Sequence, residues 1–120
     1  MIERKCSCEM GMHRAPLERY IIESGAVNRL PELLRDYNKV YMVCDENTYR
    51  VLGEKSEQIL KSVGKFLHKH ILKGDVLPDA RNIGDVLIHL NDPKADSDIF
   101  KYSPQPDFIL AVGSGVVNDI

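Results

Sequence analysis

The chain has 120 residues, 43% of them hydrophobic, which fits one domain with a real core. A formal net charge of −2 gives no electrostatic ground for nucleic acid or an anionic membrane as partner. No apolar run approaches the ~18 residues of a membrane span. Met1-Ile2-Glu3-Arg4-Lys5-Cys6 lacks the apolar core of a signal peptide, so the three cysteines read as reduced thiols of a cytoplasmic protein.

In chain order, Leu17 to Glu23 holds Tyr20-Ile21-Ile22 between charges and ends at Ser24-Gly25, which reads as a short strand and turn. Val27, Leu30, Leu33 and Leu34 recur at helical spacing. A helix is therefore expected over Asn28 to Asp36, with Asn28 as its cap and Pro31 in its first turn. Lys39 to Cys44 is apolar on both faces, the mark of a parallel strand covered by helices on each side, and Asp45 follows at its carboxyl end. A helix can start at Asn47 or Thr48, break at Gly53, and resume through Ile59, Leu60 and Val63. Lys65 to Leu72 reads as the next strand, interrupted by Gly74-Asp75-Val76-Leu77-Pro78. Asp79 then caps an amphipathic helix with Ile83, Val86, Leu87 and Leu90 on its apolar face. Asn91 to Pro106 is expected to be mostly loop, with one helical turn near Asp96 to Phe100, and Phe108 to Val112 is the last strand. Strands alternating with helices predict an α/β fold, a Rossmann-like parallel sheet with flanking helices and ligands at the carboxyl edge.

The chemistry concentrates at that edge. The strand 108–112 runs into Gly113-Ser114-Gly115 and then a helix-like segment, the layout of a turn that offers backbone N–H groups to a phosphate. It lacks the third glycine of a dinucleotide fingerprint and the Lys-Ser/Thr ending of a P-loop. Asp119, one helical turn past Gly115, either reaches a ribose hydroxyl or substrate, or complements the helix dipole. Asp45 either accepts hydrogen bonds from an adenosine ribose, which disfavours a 2′-phosphate, or caps the next helix. Cys6-x-Cys8 with His13 suits zinc in donor type but offers three ligands where a closed site needs four. A free, mobile terminal segment is the expectation there, and no metal ligands are assigned to the chain. His68 and His70 project from one face of their strand and are read as a solvated polar face, His89 as a surface residue, and Cys44 as a small core residue. No nucleophile–base pair is recognisable, so no catalytic residue is assigned.

These residues, in this order, resemble the amino-terminal domain of the bacterial glycerol-1-phosphate dehydrogenases. That family sits among the iron-type alcohol dehydrogenases, glycerol dehydrogenases and dehydroquinate synthases. The resemblance is carried by Ile21-Ile22-Glu23-Ser24-Gly25-Ala26, by Val40 to Tyr49 with its Cys-Asp-x-Asn-Thr core, by Val86-Leu87-Ile88-His89, and by Ile109 to Ile120. An early Cys-x-Cys with a nearby His is also similar to some members. The resemblance implies a two-domain oxidoreductase in which residues 1–120 are an incomplete amino-terminal NAD(P)(H)-binding domain. It implies a carboxyl-terminal helical domain, outside this chain, that holds zinc or nickel through an Asp and two His. Asp45, with Asn47 and Thr48 near it, would then lie by the adenosine ribose. Gly113, Ser114 and Gly115 would cradle the pyrophosphate, and Asp119 would lie toward the nicotinamide. Val116 stands where the family often has Thr, removing one hydroxyl contact. The partners implied are a dinucleotide, a small phosphorylated polyol and a second copy of the chain, with phospholipid biosynthesis as the setting. Alone, the chain is expected to be inactive. Alternatives are a dehydroquinate synthase-like lyase, a glycerol dehydrogenase fragment, or a stand-alone nucleotide-binding module without catalysis.

Overall fold

Three apolar runs form the sheet on which the rest of the chain is placed. The computed structural model describes residues 2–90 and 105–120. Within it β3 (Val40–Asp45) is the central strand, with β4 (Phe66–Leu72) and β5 (Phe108–Val112) parallel to it on either side. The side chains of β3 alternate between two apolar layers, so Val40, Tyr41, Met42 and Cys44 are all fully buried. Tyr41 and Val43 pack with Leu72, Val86 and Val117 on one face. Val40 packs with Leu30, Leu34 and Leu60, and Met42 and Cys44 with Val112, on the other. Each such side chain contributes roughly 1.5–3 kcal/mol by leaving water. At the amino edge the Asp107 carboxylate accepts the N–H groups of Asn38 and Lys39, both at 2.8 Å, which aligns β5 on β3.

The helical layer after β3 is continuous. It comprises α2 (Glu46–Thr48), a π-helical turn (Tyr49–Gly53) and α3 (Glu54–Ser62). Gly53 does not interrupt it, because the wider turn carries the chain around the Tyr49 ring. A Cβ at Gly53 would lie 2.8 Å from that ring. On the opposite face α4 (Ala80–Ile88) starts at Asp79, whose carboxylate accepts the Asn82 N–H at 2.9 Å. Val86 is buried and Leu90 packs beside it, but Leu87 points away and is 60% exposed.

Three further expectations are corrected. Residues 17–23 form no strand, and Ile22 is 90% exposed. Strand character persists only with a partner ladder, and this apolar triplet has none. The helix expected over Asn28 to Asp36 is shorter: a 3₁₀ turn (Ala26–Arg29) leads into α1 (Leu30–Leu33), with Pro31 in its first turn and Gly25 rather than Asn28 before it. The amino terminus is not a free segment. β1 (Ile2–Lys5) and β2 (Met12–Ala15) pair as an antiparallel hairpin, with Glu3 and Arg14 in an ion pair at 3.0 Å. The helical turn expected near Asp96 to Phe100 lies outside the described residues. Among the described residues, no helix is long and apolar enough to cross a membrane.

Candidate functional site at the carboxyl edge of the sheet

β4 and β5 lie on opposite sides of β3, and the helices that follow β3 and β4 cover opposite faces. The loops leaving the carboxyl ends of the strands therefore diverge, and a crevice opens between them. Its cavity, about 490 Å³, is lined by Asp45 at the end of β3 and Asn47 beyond it, the loop 74–77 after β4, and Ser114 and Val116 after β5. Two segments almost seventy positions apart in sequence thus meet across one opening.

Asp45 is the cap of the helix that follows. Its Oδ1 accepts the N–H groups of Asn47 at 2.9 Å and Thr48 at 2.8 Å, while its own N–H donates to Thr48 Oγ1 at 3.1 Å. The capping alternative raised by the sequence is therefore realised. It engages one carboxylate oxygen, and Oδ2 has no hydrogen-bond partner among the described residues. Thr48 spends its hydroxyl inside this box and does not line the cavity. The Asn47 side-chain oxygen accepts a hydrogen bond from Arg50 at 2.7 Å.

Ser114 is the N-cap of α5 (Gly115–Asp119), yet its side chain makes no capping hydrogen bond and is exposed. The first N–H groups of α5 have no carbonyl one turn back within the helix. The two glycines differ in their reasons. A Cβ at Gly113 would come within 2.6 Å of Val117, so this position is glycine to let α5 fold back against the end of β5. At Gly115 a Cβ would meet open space. Asp119 is exposed at the end of α5 and, like both glycines, is not among the residues lining the cavity. The crevice can accept hydrogen bonds at a carboxylate on one wall and offer a hydroxyl and backbone donors on the other.

The loop 74–77 is the wall that sequence reasoning treated only as a break. Its position was implicit in the register, since Asp45 pairs with Leu72 and both strands end at one level. A larger cavity, about 900 Å³, lies on the far side of that loop between β4 and α4. None of the expected site residues lines it. At its base His70 and Asp85 pair at 2.7 Å, and the His70 and His89 rings stack with centroids 4.2 Å apart. His68 is buried and donates from Nε2 to the His89 carbonyl at 2.8 Å. The histidines of β4 are thus covered by α4 rather than solvated, and His89 is part of that packing. Cys44 is a core thiol, as expected, and burial pushes its pKa up to about 11.

A second polar cluster ties α3 to β4. Buried Glu57 accepts from Lys61 at 2.6 Å, Lys69 at 2.5 Å and the Tyr49 hydroxyl at 2.9 Å. Burial alone would raise its pKa, but these three donors outweigh that and hold it down to about 2.

Comparison with known proteins finds three relatives of modest identity. The chain is 31% identical to a glycerol-1-phosphate dehydrogenase (NAD(P)+) of Halalkalibacterium halodurans, over 94% of this chain and 27% of that protein. It is 30% identical to the protein of the same name from Bacillus subtilis, over 87% of this chain and 25% of the relative. A 3-dehydroquinate synthase of Staphylococcus carnosus is 30% identical over 82% of this chain and 26% of its own length. The chain spans about a quarter of the length of these curated relatives. No family model and no solved structure matches. With its Rossmann-like parallel sheet, the chain is similar to one part of the glycerol-1-phosphate dehydrogenases and the dehydroquinate synthases.

Proposed function

We propose that this chain is the dinucleotide-binding part of an NAD(P)(H)- and metal-dependent polyol-phosphate dehydrogenase of the glycerol-1-phosphate type. One observation carries the reading: Asp45 and Ser114, from separate motifs, line one crevice at the point where the strand order reverses about β3. The free Ser114 hydroxyl and the first N–H groups of α5 suit the pyrophosphate, and Asp45 Oδ2 suits a ribose hydroxyl pair. When bound, the dinucleotide supplies or accepts the hydride. This chain's own residues bind and orient it. Dihydroxyacetone phosphate and sn-glycerol 1-phosphate are the proposed substrate pair. Residues 1–120 would be the incomplete amino-terminal domain, and the Asp and two His assigned to a catalytic zinc or nickel would lie on a second domain outside these residues. The likeness to a 3-dehydroquinate synthase favours a second reading, a lyase that shares the dinucleotide crevice.

Titration of the chain with NADH, followed by nicotinamide fluorescence, tests the binding step common to both. Saturable binding is expected, and Ser114→Asp, which sets a charge against the pyrophosphate, should weaken it at least about tenfold, near 1.4 kcal/mol. Absence of saturation, or an affinity indifferent to that charge, removes the proposal. NADH oxidation driven by dihydroxyacetone phosphate, in the full-length protein carrying this segment, separates the dehydrogenase from the lyase.

A further inference from the structure

The hairpin of β1 and β2 has almost nothing apolar to hold it together. Of residues 2–15, only Ile2, Gly11 and Ala15 are even partly buried. A two-stranded ribbon without a packed face is marginal in water. Its turn is nevertheless tightly specified: the Cys6 N–H donates to the Gly11 carbonyl at 2.9 Å, and the Gly11 N–H to the Cys8 carbonyl at 3.0 Å. Gly11 supplies the left-handed conformation that closes it, φ 63°. That geometry gathers the side chains of Cys6 and Cys8, leaving β1, against His13 on β2. The two sulfurs and one imidazole nitrogen lie within 4.8 Å of one another, with Cys8 Sγ 2.9 Å from His13 Nε2. The Cys8 N–H also points at Cys6 Sγ, 3.5 Å away, a donor that complements a thiolate sulfur.

We infer that Cys6, Cys8 and His13 form a three-ligand site for a thiophilic divalent cation, Zn²⁺ as the reference ion, which cross-links the two strands of the hairpin. Tetrahedral zinc with bonds of about 2.3 Å to sulfur and 2.05 Å to nitrogen sets its sulfurs about 3.8 Å apart and sulfur and nitrogen about 3.6 Å apart. The observed cluster needs only side-chain rotation on an exposed turn to reach those spacings. The ion takes the two sulfurs as thiolates and the neutral imidazole, two thiol protons pass to solvent, and a water fills the fourth position. This site is distinct from the crevice, shares no residue with it, and stands whether or not the crevice binds a dinucleotide.

The reduced chain titrated with Co²⁺ gives a direct reading, because thiolate-to-cobalt charge transfer and tetrahedral d–d absorption report the ligand set. One equivalent should bind with the intensity of two thiolates and be displaced by Zn²⁺. Cys6→Ser and Cys8→Ser should each abolish or halve the charge-transfer band, and His13→Asn should shift the d–d envelope. Cys44→Ser should change nothing, since that thiol is buried in the core. Circular dichroism confirms that each variant keeps its fold. No charge-transfer band in the reduced chain overturns the inference, as does a band that survives Cys8→Ser undiminished. So does a Cys6–Cys8 disulfide that persists under the reductant used.

Discussion

Asp45 has two oxygens and, on the proposed reading, two tasks, and a conservative substitution can separate them. Oδ1 caps α2, whereas Oδ2 is free to meet a ribose. Asn is as good a cap as Asp, so Asp45→Asn should leave thermal stability unchanged, while Asp45→Ala loses about 1 kcal/mol with the cap. Losing the carboxylate should weaken NADH binding roughly three- to tenfold, the worth of about 0.7–1.4 kcal/mol. It should also narrow the gap between NADH and NADPH, because the negative charge that repels a 2′-phosphate is gone. Paired melting curves and fluorescence titrations check both arms. If the Asp45→Asn variant binds NADH as the unsubstituted chain does, and only the Asp45→Ala variant melts early, the carboxylate is a cap and nothing more. At this scale the sequence held both readings of Asp45 and could not choose, since capping and ribose binding ask for the same residue at the same place. The glycines were legible as a turn, but their reasons were not. That Gly113 is required by Val117 is a tertiary fact, invisible until α5 folds back on β5.

Among the elements, the cluster around Glu57 links α3 to β4 and should make the join sensitive to acid. A carboxylate held at about 2 in the fold, against an ordinary value of 4.5, contributes stability that is complete above pH 4.5. That contribution is lost as the pH falls through about 2. Glu57→Gln should therefore lower the urea midpoint at neutral pH, and the deficit should shrink steadily between pH 4.5 and 2. A deficit constant across that window would mean the substitution acts through packing alone. The strands β3 and β5 and the Asp79 cap were readable because their signals are local: continuous apolar runs and one capping side chain. The hairpin was not, since its strands are charged and exposed and exist only through each other. Tyr20-Ile21-Ile22 shows the converse, a strand-like composition with no partner to pair with. The π-helical turn at Gly53 falls between these cases, because a glycine in a helical pattern signals either a break or a close approach. Here the Tyr49 ring decides for the approach.

Over the whole molecule, the sheet order turns three distant stretches of sequence into one rim. Residues 45–47 and 74–77, with Ser114 and Val116, border a single cavity, although no local pattern connects them. Amide hydrogen exchange reads this arrangement directly. In the free chain β3 should exchange most slowly, since it is hydrogen-bonded on both sides and its side chains are buried, whereas Ile109 of the edge strand β5 is 53% exposed. The hairpin of β1 and β2 should exchange fastest among the strands. On addition of saturating NADH, protection should rise together at the ends of β3 and β5 and in the loop 74–77, and stay unchanged in the hairpin. Coupled protection follows because one ligand spanning the crevice must order all three walls, including the loop after β4 that no motif marked. Protection confined to residues 113–117 would describe an anion resting on the Gly-Ser-Gly turn and would contradict a dinucleotide lying across the sheet edge. Protection spread over the larger cavity between β4 and α4 would move the binding site to the other side of the loop 74–77, away from Asp45 and Ser114.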